Sequence, residues 1–491
     1  MNSLVRQYRL SANEVRSFIE HEKSRRQSNK VLHGHPSPLY WKPLDTPVSS
    51  LLEQRLSYSA SSPFSVNLYV GTPFCIKTKP AHCGFCLFPS EDYEGNAGVE
   101  VYIEYLKKEF EMYKPFYAKD PLSSIYFGGG TPNLYRAEHY GRIMGYVDEL
   151  YGGIPSDIEI TLEGIPQLFS ENKIRAIQQA GFNRISMGVQ QLNDRLIKYS
   201  GRKQTRKQVF DTLNLTRKYD LACSVDLIYG WPEQTMEDML RDLKDITETG
   251  IHHLTHYELN IAGRSDFAAR RNRELLPGIE TNIEMYKVSC EFLREQGFEQ
   301  VTVYDWKRKT TDAERDRLGR YDYEHSMHHF VEQEQGEIST TRQVCGIGFA
   351  AVNFHPNSVR SDEQSWIYMN HNGINDYYQS IDRGEFPVGR GFMYNQQDVK
   401  LAWLFQSMQT MSIDFIDYES IFGENLLDSY GAVWDDLDRR GWLSITENEL
   451  RFEGAGQYYI PMLQSLIASK RLAEIRASRV SRLDSIEVVT E

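Results

Sequence analysis

An α/β fold centred on a parallel, partly closed (β/α)6 barrel is what this sequence predicts, with an N-terminal extension before it and a winged-helix-like α+β domain after it. Three observations carry that expectation. Apolar, β-branched runs alternate six times with amphipathic helical stretches. The unusual motifs fall just after strand-like runs, where parallel barrels and open α/β sheets carry their chemistry. From about Asn395 the pattern changes to helical stretches followed by two short strand-like runs around Glu447 and Asn448.

The strand-like runs begin near Ser65, Ser123, Asp157, Asn183, Ala222 and His252. Helical segments follow near Val99, Ala137, Ser170, Thr205, Thr235 and Thr281. Thr235 and Asp238 have capping-box spacing, and Gly250 is placed as a stop for the same helix. Six β-then-α units in series imply one parallel sheet. The boundaries expected are an N-terminal extension (1–60), a core (61–310), a connecting segment (311–394), the winged-helix-like domain (395–470) and a charged tail, helical or disordered (471–491).

With 491 residues and 40% hydrophobic content the chain can bury a large core and one or two smaller ones. It shows no basic-then-apolar leader and no apolar run near the ~20 residues of a bilayer span, so a cytoplasmic protein without a membrane partner is expected. A net charge of −13 argues against a nucleic-acid partner. Six cysteines are too sparse for a disulfide framework, yet three of them, Cys75, Cys83 and Cys86, crowd into "CIKTKPAHCGFC". Such a trio suits metal or redox chemistry. A tetrahedral zinc would need a fourth donor, which His82 could give. A four-iron cluster on three thiolates would leave one iron open to a ligand.

The other motifs share the same end of the barrel. "GGGTP" (Gly128 to Pro132) ends the second strand, Glu163 the third, Gln190 follows the fourth, and Asp226 lies near the end of the fifth. Glycines let a ligand approach backbone N–H groups, an arginine such as Arg202 can grip a carboxylate, and a carboxylate such as Asp226 suits ribose hydroxyls.

In order, "LYVGTPFC…CGFC", "YFGGGTP", "EITLEGIP", "GFNRISMGVQQLNDRLIKYSGR" and "SVDLIYGWPEQT" resemble the motifs of radical S-adenosylmethionine (SAM) enzymes, in the branch similar to oxygen-independent coproporphyrinogen III oxidase (HemN-like). The resemblance implies that Cys75, Cys83 and Cys86 ligate a [4Fe-4S] cluster whose open iron binds SAM and cleaves it to a 5′-deoxyadenosyl radical. It implies that Tyr69, Gly129 and Glu163 lie against this first SAM. A second SAM is implied on Phe85, Gly130, Thr131, Gln190, Arg202 and Asp226. A small-molecule substrate, tetrapyrrole, lipid-like or a natural-product intermediate, and an electron donor such as flavodoxin or ferredoxin go with the resemblance, as does a monomer.

Departures from the branch pattern narrow the reading. Seven residues, "IKTKPAH", separate the first two cysteines where three are usual. Leu87 and Phe88 stand where the coproporphyrinogen oxidases tend to carry a further cysteine, and their N-terminal arginine-tyrosine segment is replaced by "HPSPLYWKPLDTP". The histidine-asparagine-tyrosine-tryptophan signature of the heme-chaperone relatives is absent. "EHSMHH" (Glu324 to His329) reads as a solvated histidine-rich helix, with metal or heme binding as the alternative. These features favour methyl or methylene transfer with two SAM molecules over porphyrinogen decarboxylation, and either over a non-catalytic heme carrier.

Overall fold

Six parallel strands follow one another with a helix after each: β1 (Ser65–Thr72), β2 (Leu122–Gly129), β3 (Glu159–Gly164), β4 (Arg184–Gln190), β5 (Ala222–Tyr229) and β6 (His253–Glu258). The structure is a computed structural model that describes residues 8–26, 34–59, 65–259, 261, 265–269, 273–311, 317–326, 332–334, 337–339, 342–355 and 365–487. The intervening helices are Asn96–Tyr117, Ala137–Tyr151, Glu171–Gln179, Arg206–Lys218, Met236–Thr247 and Ile279–Glu295. Ser170, Thr205 and Thr235 each cap their helix, accepting a backbone N–H with the side chain. Thr235 and Asp238 form the expected capping box. That helix closes at Glu248, and Gly250 takes the left-handed conformation (φ 77°) two residues on.

Strand alternation decides what lies on each side of the sheet. Residues of one parity, such as Val66, Leu68, Ile125, Phe127, Ile160, Leu162, Ile185 and Met187, are buried apolar side chains of the main core. The other parity is polar. Asn67 meets Ser124 at 2.6 Å, and Arg184 reaches Glu159, Thr161, Ser224 and His253. Six strands therefore share a polar lumen.

The sheet does not stop at six. Segments β7 (Phe298–Gln300) and β8 (Asp305–Arg308) extend it beyond β6, and β9 (Arg342–Gly348), β10 (Val352–His355), β11 (Trp366–Asn370) and β12 (Val388–Met393) extend it beyond β1. The order is β12-β11-β10-β9-β1-β2-β3-β4-β5-β6-β8-β7, with β9 parallel to β1 from Ser65↔Arg342 to Gly71↔Gly348. Among the described strands none joins β7 to β12, so the barrel stays open. Residues 342–393 thus contribute sheet as well as connection, because β9 covers the free edge of β1 and β10, β11 and β12 continue the sheet outward.

The C-terminal part is a helix (Gln396–Gln409), β13 (Ser412–Asp414), two helices (Phe415–Phe422 and Leu426–Arg439), then β14 (Leu443–Ile445) and β15 (Glu449–Phe452) in a three-stranded sheet of order β13-β15-β14. This is the helix and wing arrangement that the sequence predicts, with β13 as an added strand. A last helix spans Ser469–Glu487. The N-terminal segment packs on this domain. Val15 and Ile19 are fully buried, Tyr459 donates to the Lys23 carbonyl at 3.0 Å, and the buried Asp398 carboxylate pairs with Arg471 and meets His35 Nε2 at 2.8 Å. No described helix is long and apolar enough to cross a membrane.

Candidate active site at the carboxyl ends of the strands

The glycine row ending β2 is where the cysteine segment is strapped to the barrel. Gly130 N donates to the Thr72 carbonyl and Thr131 N to the Phe74 carbonyl, both at 2.7 Å. A Cβ at Gly130 would stand 2.5 Å from the Phe74 oxygen, and Gly129 sits at φ +105°, so side chains are excluded at both. Gly129 N donates to Glu163 Oε2 at 3.3 Å. The expectation that these N–H groups stand open for a ligand therefore needs correction at Gly129 and Gly130, whose donors already serve Glu163 and the cysteine segment.

Beyond Thr72 the chain makes a two-residue parallel pairing of Phe74–Cys75 with Glu91–Asp92, which closes the cysteine loop at its base. Thr131 Oγ1 lies 3.5 Å from the Cys75 sulfur. Thr78 Oγ1 accepts from Cys83 N at 3.0 Å and donates to the Pro80 carbonyl at 2.7 Å. His82, Cys83 and Gly84 are three consecutive left-handed residues, with φ of 51°, 54° and 75°. A turn of this kind strains two non-glycine residues, and such strain gathers at functional sites. The seven-residue gap has a seat. A Cβ on Gly201 would fall 2.2 Å from the Lys79 carbonyl oxygen, so the loop rests on the turn just before Arg202.

Cys75 and Cys83 are half-buried and Cys86 is exposed. Burial, and after it the hydrogen bond from Thr131 working the other way and the charge of Cys83, leaves the Cys75 thiol above its ordinary pKa. Among the described residues no three His, Cys, Asp or Glu side chains enclose a single-ion position. A cleft of about 670 Å³ opens beside the loop, lined by Lys79, His82, Cys86, Phe88 and Asp266 among others. Cys223, Cys290 and Cys345 are buried elsewhere.

Glu163, Gln190, Arg202 and Asp226 converge on the lumen from β3, β4, the following turn and β5. Arg202 Nη1 donates to the Gly188 carbonyl at 2.7 Å and to Gln204 Oε1 at 3.2 Å, while its buried Nε has no partner. Gln190 closes β4 in the left-handed region, at φ 68°, where the pairing with β5 shifts register. Asp226 pairs in register with Gly188. Burial first, and then Asp226, push Glu163 up to about 8. Burial and then Glu324 push Asp226 up to about 7. Phe85 stands apart, its ring edge-on to Trp231 at 5.2 Å in a separate apolar cluster with Leu196 and Phe267.

Beneath these groups lies an aromatic layer that sequence reasoning only partly finds. Tyr69 and Tyr126 stack at 6.0 Å and 10°, and Tyr323 stacks on Tyr126 at 4.8 Å and 27°. Tyr126 shares the parity of Gly128 and could have been found from alternation; Tyr323 gives no such signal. The solvated-helix reading of Glu324 to His329 is corrected at Glu324, whose carboxylate bonds Arg184 at 3.1 and 3.2 Å. A buried arginine inside the lumen overrides local polarity there. Residues 327–329 lie outside the described residues.

The sequence matches the Radical SAM superfamily over residues 69–246. That match takes in most of the span from β1 through β5, together with the cysteine loop. A [4Fe-4S] cluster and SAM are the cofactors of that superfamily. The chain is 31% identical over 242 residues to the heme chaperone HemW of Lactococcus lactis subsp. lactis (strain IL1403), covering 48% of this chain and 60% of that protein. It thus spans less than two thirds of that relative's length. It is 24% identical over 370 residues to oxygen-independent coproporphyrinogen III oxidase of Helicobacter pylori (strain ATCC 700392 / 26695), covering 74% of this chain and 76% of that one. The fold resembles the coproporphyrinogen III oxidase HemN of Escherichia coli, described as a radical SAM enzyme, with a TM-score of 0.74 at 21% identity, over 88% of this chain and 96% of that one.

Proposed function

We propose that this radical SAM enzyme carries its cluster on Cys75, Cys83 and Cys86 and binds two SAM molecules, one against Tyr69, Gly129 and Glu163 and a second against Gly130, Thr131, Gln190, Arg202 and Asp226, with Phe85 at the edge. The observation that carries this reading is the strap between Thr72–Cys75 and the glycine row, which sets the cysteine loop directly beside Glu163. When bound, the cluster and SAM supply one-electron cleavage of the sulfonium to a 5′-deoxyadenosyl radical. The protein's part is to bind, orient and exclude water. Arg202 has a buried donor without a partner that suits a carboxylate oxygen. Gln190, held in a strained turn, presents an amide.

The substrate class we propose is a tetrapyrrole, the chemistry common to the names of the relatives above, and the reaction methyl or methylene transfer from the second SAM. A second reading, oxidative decarboxylation of a porphyrinogen, draws support from the Helicobacter oxidase, which matches across most of this chain. Supplying coproporphyrinogen III and methyl-labelled SAM under anaerobic, reducing conditions separates them. Label in the tetrapyrrole supports transfer; carbon dioxide without label supports decarboxylation. Tight heme binding without turnover would replace both by a carrier.

Protonation gives an independent check. Carboxyls whose folded-state pKa lies at about 8 and about 7 hold protons that the unfolded chain releases, so they stabilise the ligand-free fold at acid pH. That contribution is lost as pH rises from the ordinary carboxylate range through about 7 to 8. A cationic ligand favours the ionised carboxylates. SAM affinity is therefore expected to rise between pH 6 and 8, by up to about tenfold per unit for each group that ionises. Calorimetry in buffers of different ionisation enthalpy should read proton release; proton uptake, or affinity flat with pH, would contradict it.

A further inference from the structure

Residues 320–326 come from outside the six β-then-α units, yet they enter the barrel at the amino ends of its strands. Asp322 N donates to Glu159 Oε2 at 2.5 Å, and Arg320 donates to the Asp157 carbonyl at 2.8 Å. Tyr321 stacks on His253, at 4.9 Å and 20°. Glu324 makes two contacts to Arg184 Nη1, which also reaches Glu159. Burial alone would lower the Arg184 pKa, but Glu324 and Glu159 more than offset it and hold the side chain as a cation. Three positions, 321, 322 and 324, are thereby anchored on β6, β3 and β4.

Between these anchors Tyr323 projects further into the lumen than its neighbours. Its ring stacks on Tyr126 at 4.8 Å and lies 6.0 Å from Tyr69 at 33°. Tyr69 and Tyr126 are each the fifth residue of their strand, two positions below the glycines Gly71 and Gly128. A Cβ on Gly128 would touch Tyr69, Tyr126 and the Glu163 carboxylate, each at 2.9 Å. The three tyrosines therefore form one continuous layer under the groups proposed for the first SAM. Tyr69 has no other stacking partner among the described residues than Tyr126 and Tyr323.

We propose that Tyr323, pinned by the Glu324–Arg184 pair, is a positioning residue: it is the floor of the cofactor chamber, holding the Tyr69 ring at the height where Tyr69 meets SAM. This inference rests on the radical SAM reading of the site. An aromatic floor acts through its face and its rigidity, since a ring with two χ angles packs against other rings with little entropy to lose. The phenol hydroxyl is not needed for that role. An aliphatic side chain of similar volume keeps the lumen filled but gives up the stack, which leaves Tyr69 free to drop.

Tyr323→Phe, Tyr323→Leu and Glu324→Gln, each reconstituted anaerobically with iron and sulfide, test the proposal by equilibrium dialysis with labelled SAM, with no turnover required. Iron content and thermal midpoint are measured alongside. Wild type without a cluster would fail the radical SAM reading itself, before the floor is tested. With cluster present, Tyr323→Phe is expected to bind SAM within twofold of wild type, and Tyr323→Leu at least tenfold more weakly at unchanged iron content. In SAM cleavage the KM should rise with the dissociation constant while kcat falls less. Tyr323→Leu binding within twofold of wild type overturns the proposal, as does Tyr323→Phe binding as poorly as Tyr323→Leu. Should Tyr323→Leu lose its fold or its iron, Glu324→Gln decides: threefold or weaker SAM binding supports the pinning, and wild-type affinity overturns it.

Discussion

Replacing any one of Cys75, Cys83 or Cys86 by Ala is expected to abolish both the cluster and SAM cleavage, whereas Cys223, Cys290 and Cys345 tolerate the same change. The asymmetry follows from place and company. The trio sits on a loop strapped to the barrel mouth by Thr131 and the Phe74–Cys75 pairing, half-buried or exposed. The other three are buried singly in the core, away from the loop and from one another. Ala there opens a small cavity, costing roughly 0.5–3 kcal/mol, read as a lower denaturation midpoint in an enzyme that still cleaves SAM. Iron analysis and 5′-deoxyadenosine yield on the six variants decide it. An active Cys83→Ala would contradict the ligand set, and an inactive Cys345→Ala of wild-type stability would contradict the division.

Arg202→Ala and Asp226→Ala are expected to leave the cluster's absorbance and iron content unchanged while methyl transfer falls. Neither side chain contacts the cysteine loop through a described hydrogen bond. Arg202 instead braces the Gly188 carbonyl beside the left-handed Gln190, and Asp226 pairs with that same glycine. A charge-assisted hydrogen bond is worth ~1.5 to 3 kcal/mol, or roughly ten- to over a hundredfold in affinity. Formation of S-adenosylhomocysteine, and of product carrying the labelled methyl group, should drop by that factor in each variant. Loss of iron from Arg202→Ala would instead make it a support for the loop, because Gly201 carries Lys79.

Most of the scaffold was legible because its signals are local. Ser170, Thr205 and Thr235 announce helix starts by their chemistry, and β1 to β5 alternate buried apolar and lumen-facing residues, whereas β6 breaks the alternation at His256. The site motifs were legible because each ends a strand. What was not legible depends on distant chain segments. The strands of residues 342–393 read as a connection until β9 is seen beside β1, since nothing in "RQVCGIG" names its partner. Tyr323 and Glu324 belong to a polar stretch that looks solvated; only the buried Arg184 of β4, 140 residues away, draws Glu324 inward. In sequence the glycine row looks like open backbone, whereas the amides of Gly129 and Gly130 are held by Glu163 and Thr72. Phe85, expected at a cofactor, packs first on Trp231.

Anaerobic reconstitution followed by iron and sulfide analysis, with SAM cleavage measured under a low-potential reductant, tests the account most directly. The account predicts about four irons and four sulfides per chain and 5′-deoxyadenosine formed with methionine in equal amounts. Protein that takes up one zinc in place of the cluster and leaves SAM intact would contradict it.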